Sequence, residues 1–152
     1  MKKFRLGALI MTAGLFMALG NQANAAGVGY IDYQKVQESF PFAQQAVKEI
    51  DAKALEMQQY MVDKEKQYKA LDTPLKKQNF EDQTAREFKM KQDSFMRLKA
   101  DKEEQIYNKI QAATKQVLVE QKLDAIIDYR VIFVGGVDIS DLVIQKLKSG
   151  QF

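Results

Sequence analysis

Ala43, Val47, Ile50, Ala54, Met57, Met61, Lys64, Tyr68, Leu71 and Leu75 follow one another in alternating steps of four and three. That spacing puts them on one face of a helix as a heptad seam, with Lys64 as the one charged member. Phe88, Phe95 and Leu98 continue an apolar stripe downstream, and Ile106, Ile110, Ala113 and Val117 form another. The eight-residue step from Leu98 to Ile106 leaves heptad phase, so regular supercoiling is not expected there. No glycine occurs from Tyr30 to Val134, and only Pro41 and Pro74 interrupt a run rich in Gln, Lys, Glu, Ala, Leu and Met. These side chains lose little rotamer freedom in a helix, so the pattern predicts long helix throughout.

Asp72 or Thr73 followed by Pro74 reads as a helix start, because proline fits the first helical turn without losing a bond. A kinked continuous helix would also suit a seam that runs through Pro74 to Leu75. The midpoint of the helical stretch favours a later turn, near Gln78 to Gln83, and the hairpin tip is expected within Asp72 to Gln83. The flanks differ. Val28 to Tyr33 is short and β-prone, and Ala125 to Val134 is rich in β-branched residues, so both predict strands. Gly135-Gly136 predicts a turn, with a brief return strand from Val137. Asp138 is placed to cap a last helix whose buried face is Leu142, Val143 and Leu147.

The fold class expected is therefore α+β: a small β-body from the N- and C-terminal strands, carrying a long protruding helical hairpin. Residues 26–41 and 123–152 make the body, and 42–122 make the hairpin. A body this small does not close a core unaided, which predicts oligomerisation. Val28, Tyr30, Ile31, Ile126, Val131, Phe133, Ile139 and Val143 are the residues expected to pack across subunits.

The first residues change the charge picture. Lys2, Lys3 and Arg5 precede an apolar stretch from Leu6 to Leu19 and a small-x-small site at Ala23-Asn24-Ala25. That is the form of a signal peptide over residues 1–25, cleaved after Ala25. Removing its three basic residues from 23 leaves 20 Lys+Arg against 20 Asp+Glu, so the exported chain is no polycation and no specific nucleic-acid partner is expected. Cys and His are both absent, and no Gly-rich phosphate loop or metal spacing occurs. No enzyme, metal or cofactor is expected.

Charge is nevertheless uneven. Residues 64–102 hold eleven basic and seven acidic side chains. Lys76, Lys77, Arg86, Lys89 and Lys91 form a basic tip that would allow transient contact with anionic lipid, against the plainer reading of a solvated helix surface with paired charges. Met57, Met61, Tyr68, Phe80, Phe88, Met90, Phe95 and Met96 are the candidate binding set for an apolar partner, because methionine and aromatic side chains suit promiscuous apolar recognition. The competing reading is that they only zip the two arms together.

This organisation resembles the Skp/OmpH family over essentially the whole exported chain. The residues that carry the resemblance are Val28-Gly29-Tyr30-Ile31-Asp32 with Lys35-Val36 at the start. Near the end they are Leu123 to Asp128, then Val131-Ile132-Phe133, then Asp138-Ile139-Ser140 leading to Val143 and Leu147. The resemblance implies a jellyfish-shaped homotrimer in the periplasm, whose hairpins hold unfolded outer-membrane proteins without nucleotide. The family's lipopolysaccharide-binding patch is not matched residue for residue, so lipopolysaccharide contact stays a general expectation of the basic tip. A structural coiled-coil spacer of the envelope is the alternative.

Overall fold

The computed structural model describes residues 27–152. The expected signal segment and its cleavage after Ala25 lie outside the described residues. Strand β1 (Val28–Ile31) leads into a short helix α1 (Tyr33–Ser39) and then the long helix α2 (Pro41–Lys69). Helix α3 (Pro74–Glu120) returns antiparallel to it, followed by β2 (Ala125–Asp128), β3 (Val137–Asp138) and α4 (Ser140–Ser149). The sheet has the order β2-β1-β3 and is parallel throughout, so the entire helical hairpin serves as the crossover between β1 and β2.

Local chemistry explains the boundaries. Asp32 caps α1 by accepting from the Lys35 amide at 3.0 Å. Pro41 opens α2 and Pro74 opens α3, each at a position where a missing N–H costs nothing. Thr73 caps α3, its hydroxyl accepting from the Lys76 amide at 3.3 Å. The chain therefore turns at residues 70–73, earlier than the midpoint estimate. The estimate failed because α3 is 47 residues long and α2 only 29. The distal part of α3 pairs with α2 beyond Ala46, while its last turns, Ile106 to Val117, join the body core together with Ala43 and Ala46 at the base of α2.

Two C-terminal expectations also change. Only Ala125–Asp128 is strand, because the Asp128 carboxylate accepts from both the backbone and the guanidinium of Arg130 and turns the chain into a single 3-10 turn over Tyr129–Val131. Gly135 and Gly136, at φ +86° and +88°, then carry the chain across, and β3 pairs with β1 in parallel instead of returning along β2. The inward face of α4 is Val143, Ile144 and Leu147, whereas Leu142 is partly in water.

One core forms. Ile31, Val36, Phe40, Ile139, Val143, Ile144 and Leu147 pack with Ala43 and Ala46 at the base of α2 and with Ile106, Ile110, Ala113 and Val117 of α3. Thus the body borrows the hairpin's proximal turns to complete its interior. Gly29 leaves room for the Leu123 side chain, whose terminal methyl would lie 2.7 Å from a Cβ at that position. The Ser140 hydroxyl, fully buried, accepts from the Asp32 amide at 2.9 Å and ties the start of α4 to the start of α1.

Beyond Ala46 on α2 and before Ile106 on α3, no hydrophobic residue is fully buried. The distal hairpin is a two-helix layer with a thin seam. Amides of residues 47–69 and 74–105 are expected to exchange with solvent deuterium much faster than those of Ile106 to Val117 and β1. Uniform protection along α3, read by hydrogen-exchange mass spectrometry, would contradict this.

Candidate functional site

The two edges of the hairpin differ in chemistry. Along one edge, charged side chains reach across between the arms: Glu49 to Lys102, Glu56 to Lys91 at 3.3 Å, and Lys64 to Glu87 at 2.8 Å. The Tyr60 hydroxyl donates to Glu87 at 2.7 Å, and Gln83 donates to the same carboxylate. Steps of four and three (49, 53, 56, 60, 64) keep the α2 members in one stripe. Lys64, the charged residue in the seam, lies 5.2 Å from the ring centres of both Tyr60 and Phe80. Its ammonium is thus held by a carboxylate and two aromatic faces.

Glu87 feels this most. The Lys64 ammonium, then the Tyr60 hydroxyl and Gln83 amide, hold its pKa down at about 2. Glu56 is lowered by Lys53 and Lys91, and Glu49 by Lys102. A carboxylate with a depressed folded pKa adds stability above its ordinary value of 4.5, and this is lost as pH falls toward about 2. The hairpin is expected to loosen between those limits. Following helix melting by circular dichroism from pH 6 to 2 should show the melting temperature falling with pH. A Glu87→Gln chain should show a smaller fall.

The opposite edge is open and apolar. Met61, Tyr68, Phe80, Thr84, Ala85 and Phe88 line a hollow of about 410 Å³ near the tip, with Lys64, Glu65 and Glu81 also in its wall. A second hollow of about 470 Å³ lies beside it, lined by Ala54, Met57, Gln58, Met61, Val62, Phe88 and Phe95. Met61 and Phe88 belong to both, so the two form one groove. The Thr84 hydroxyl oxygen is buried in its wall without a hydrogen-bond partner.

Of the candidate contact residues, the structure brings Met57, Met61, Tyr68, Phe80, Phe88 and Phe95 together in this groove. Met90 lies toward the charge-paired edge and Met96 on the outer flank of the groove, both largely exposed and lining neither hollow. Val62, Thr84 and Ala85 went unnoticed in the sequence, and Ala54 was read only as a seam position. Val62 sits one residue beyond the seam position Met61, and that offset from the seam is the signal that would have found it.

The basic tip is not a single patch. Lys76 pairs with Asp72 at 2.9 Å, Lys91 with Glu56, and the Lys77 ammonium lies 5.4 Å from the Tyr68 ring. Arg86 and Lys89 form no ion pair among the described residues. The residues expected at a subunit contact divide equally. Ile31, Ile126, Ile139 and Val143 point into this chain's own core, a correction that follows from the alternation of β1 and from α4 packing back on α3. Val28, Tyr30, Val131 and Phe133 lie outside it, and Phe133 is fully in water at 102 % exposure. Among the described residues no helix is long and apolar enough to cross a membrane.

Two long antiparallel helices rising from a small parallel sheet define a coiled-coil hairpin protein whose prominent surface is the open edge of its arms. The family model described as outer membrane protein (OmpH-like) matches residues 27–147, which is nearly all of the described chain. The chain belongs to the OmpH-like family, and a chaperone role holds at the level of that family. No curated protein matches. Among solved structures, a Caulobacter crescentus protein designated an outer membrane chaperone (OmpH-like) is 15 % identical, covering 82 % of this chain and 85 % of that one. Its TM-score is 0.39, a likeness that adds nothing to the family assignment.

Proposed function

We propose that this protein is an ATP-independent holdase of the periplasm that binds unfolded outer-membrane proteins as a homotrimer and keeps them from aggregating. The observation that carries this reading is the open apolar edge of the hairpin. Met61, Val62, Leu55 and Met96 remain in water on arms that are already paired along their other edge. A spacer would have no use for such a surface, since exposed apolar area on a two-helix layer only invites association. Family membership supports the chaperone role, and the basic residues Lys2, Lys3 and Arg5 ahead of the apolar stretch Leu6 to Leu19 support export.

Trimer formation is supported by the body. A parallel sheet is ordinarily covered on both faces. Here Val28, Tyr30 and Ile127 make an outer face that the chain leaves only partly covered, flanked by the exposed Val131, Phe133 and Val134. Three hairpins around one body would then present three grooves to one client, giving firm holding from weak contacts. Arg86 and Lys89, the unpaired members of the tip, suit a role in electrostatic attraction to acidic clients, anionic lipid or lipopolysaccharide.

The test is whether the purified chain lacking residues 1–25 keeps a β-barrel protein soluble after dilution from urea. Met61→Ala and Phe88→Ala are each expected to weaken holding by less than about tenfold in an intact trimer. Complete loss from either single change, measured by light scattering, would show that one pocket does the binding.

A further inference from the structure

We propose that Met61, with Met57 beside it, is a modification site at which reversible oxidation to the sulfoxide weakens client binding while fold and assembly persist. This rests on the holdase reading and adds a control to its binding surface. Three of the seven methionines, Met1, Met11 and Met17, precede the described residues. The other four, Met57, Met61, Met90 and Met96, all lie on α2 and α3 beyond the turns that join the body core. Cys, His and Trp are absent, so these thioethers are the side chains most open to a two-electron oxidant. The core and the sheet hold no methionine and stay outside that chemistry.

The step consumes a peroxide. A lone pair of the Met61 sulfur attacks one peroxide oxygen, the O–O bond breaks, and for hydrogen peroxide the products are the sulfoxide and water. The sulfur gives up two electrons and the peroxide takes them. Exposure sets the order of attack. Met90 at 64 %, Met96 at 57 % and Met61 at 44 % are open to solvent, and Met57 is half-buried.

Position decides which of the four matters. Met61 lines both hollows and so stands at the middle of the groove, and Met57 lines the second. Met90 and Met96 line neither. Oxidation turns a flexible apolar side chain into a polar one whose oxygen accepts hydrogen bonds. In the open groove water satisfies that oxygen, so the free hairpin loses little. A client that covers it strips the water away. Among the residues lining the hollow that Met57 and Met61 share, Gln58 is the one side-chain donor, and it is exposed. In the other hollow the Lys64 ammonium is engaged by Glu87 at 2.8 Å, and the Thr84 hydroxyl oxygen is sealed from solvent. The penalty therefore falls on the bound state, which is what shifts a binding equilibrium. Three hairpins holding one client multiply it.

The experiment treats the chain lacking residues 1–25 with hydrogen peroxide and maps sulfoxides by peptide mass spectrometry. Holding of a urea-diluted β-barrel protein is read by light scattering, each chain against its own untreated sample. The oxidised parent is expected to hold about tenfold more weakly, with sedimentation and helical content unchanged. Methionine sulfoxide reductases of both stereospecificities, driven by dithiothreitol, should restore holding. Met57→Leu with Met61→Leu should lose less than about twofold on oxidation, whereas Met90→Leu with Met96→Leu should lose as much as the parent. Bound client should slow sulfoxide formation at Met61 and leave that at Met90 unchanged. Undiminished holding by a parent oxidised at Met61, equal losses in the two double variants, or a loss that the reductases do not reverse would each overturn the inference. If the untreated parent does not hold the barrel protein, the holdase reading falls. The uncharged dye Nile red then reads the groove by its fluorescence. Its affinity for the parent should still fall with oxidation and recover with reduction, and an unchanged affinity would overturn the inference.

Discussion

A Phe133→Asp chain is expected to sediment as a folded monomer at micromolar concentration, where the parent chain sediments as a trimer. Phe133 touches nothing in its own chain: its side chain is fully in solvent, beside Val134 and Val131 at 85 % and 72 % exposure. Within one chain the substitution exchanges an exposed ring for an exposed carboxylate, a change ordinarily within about 0.5 kcal/mol. In a trimer built on the outer face of the sheet, the same carboxylate enters an apolar contact in all three subunits. Each unpaired charge then costs several kcal/mol, enough to dissociate the assembly. Analytical ultracentrifugation reads the mass, and urea unfolding followed by circular dichroism reads the fold. A monomeric parent chain, or a trimeric variant, would remove the outer sheet face as the assembly surface.

Ile139→Ala is expected to act the other way, destabilising the single chain by about 2–5 kcal/mol. Ile139 is fully buried, its amide donates to the Tyr30 carbonyl at 3.0 Å, and its carbonyl accepts from the Val143 amide at 3.1 Å. It therefore joins β1 to the first turn of α4 at the centre of the one core. Total stabilities of small domains are about 5–15 kcal/mol, so this single truncation removes a large share. The distal hairpin has no core of its own, so loss of the body should release α2 and α3 together. A urea midpoint lowered by less than the equivalent of about 1 kcal/mol would mean that the site collapses onto the cavity or is less central than its burial indicates.

The contrast between these two positions shows what the local pattern leaves open. Both are large apolar residues within a β-rich C-terminal stretch. Periodicity marks both as apolar surface to be covered, and neither sequence neighbourhood says by what. Ile139 is covered because α4 folds back onto α3. Phe133 is left outside because the Asp128–Arg130 turn and the two glycines swing its segment away from the sheet.

The hairpin shows the same division. The alternating four-three seam, the absence of glycine and the Thr73-Pro74 start were sufficient to predict two long antiparallel helices. These are local properties, fixed by rotamer freedom and by where proline is tolerated. The midpoint estimate placed the turn too late because its position depends on how much of α3 belongs to the body, a matter of tertiary packing. The seam also identified Met57, Met61, Tyr68, Phe80, Phe88 and Phe95 as apolar contact positions. It did not show that the charges would gather on one edge and the hollows on the other.

By itself, then, the sequence determined the helical arms, the terminal strands, the apolar residue types of the groove and the absence of cysteine and histidine chemistry. Each of these follows from spacing and side-chain type along one segment. Only the tertiary structure decided that the strands run parallel, that Ile31, Ile126, Ile139 and Val143 close an internal core, and that Lys64, Lys91 and Lys102 bolt one edge of the hairpin. Those outcomes depend on which residue stands opposite which across two helices or two strands. Glu87 meets Lys64 and Tyr60 from 23 and 27 residues away, and a helical period carries no information about the register that brings them together.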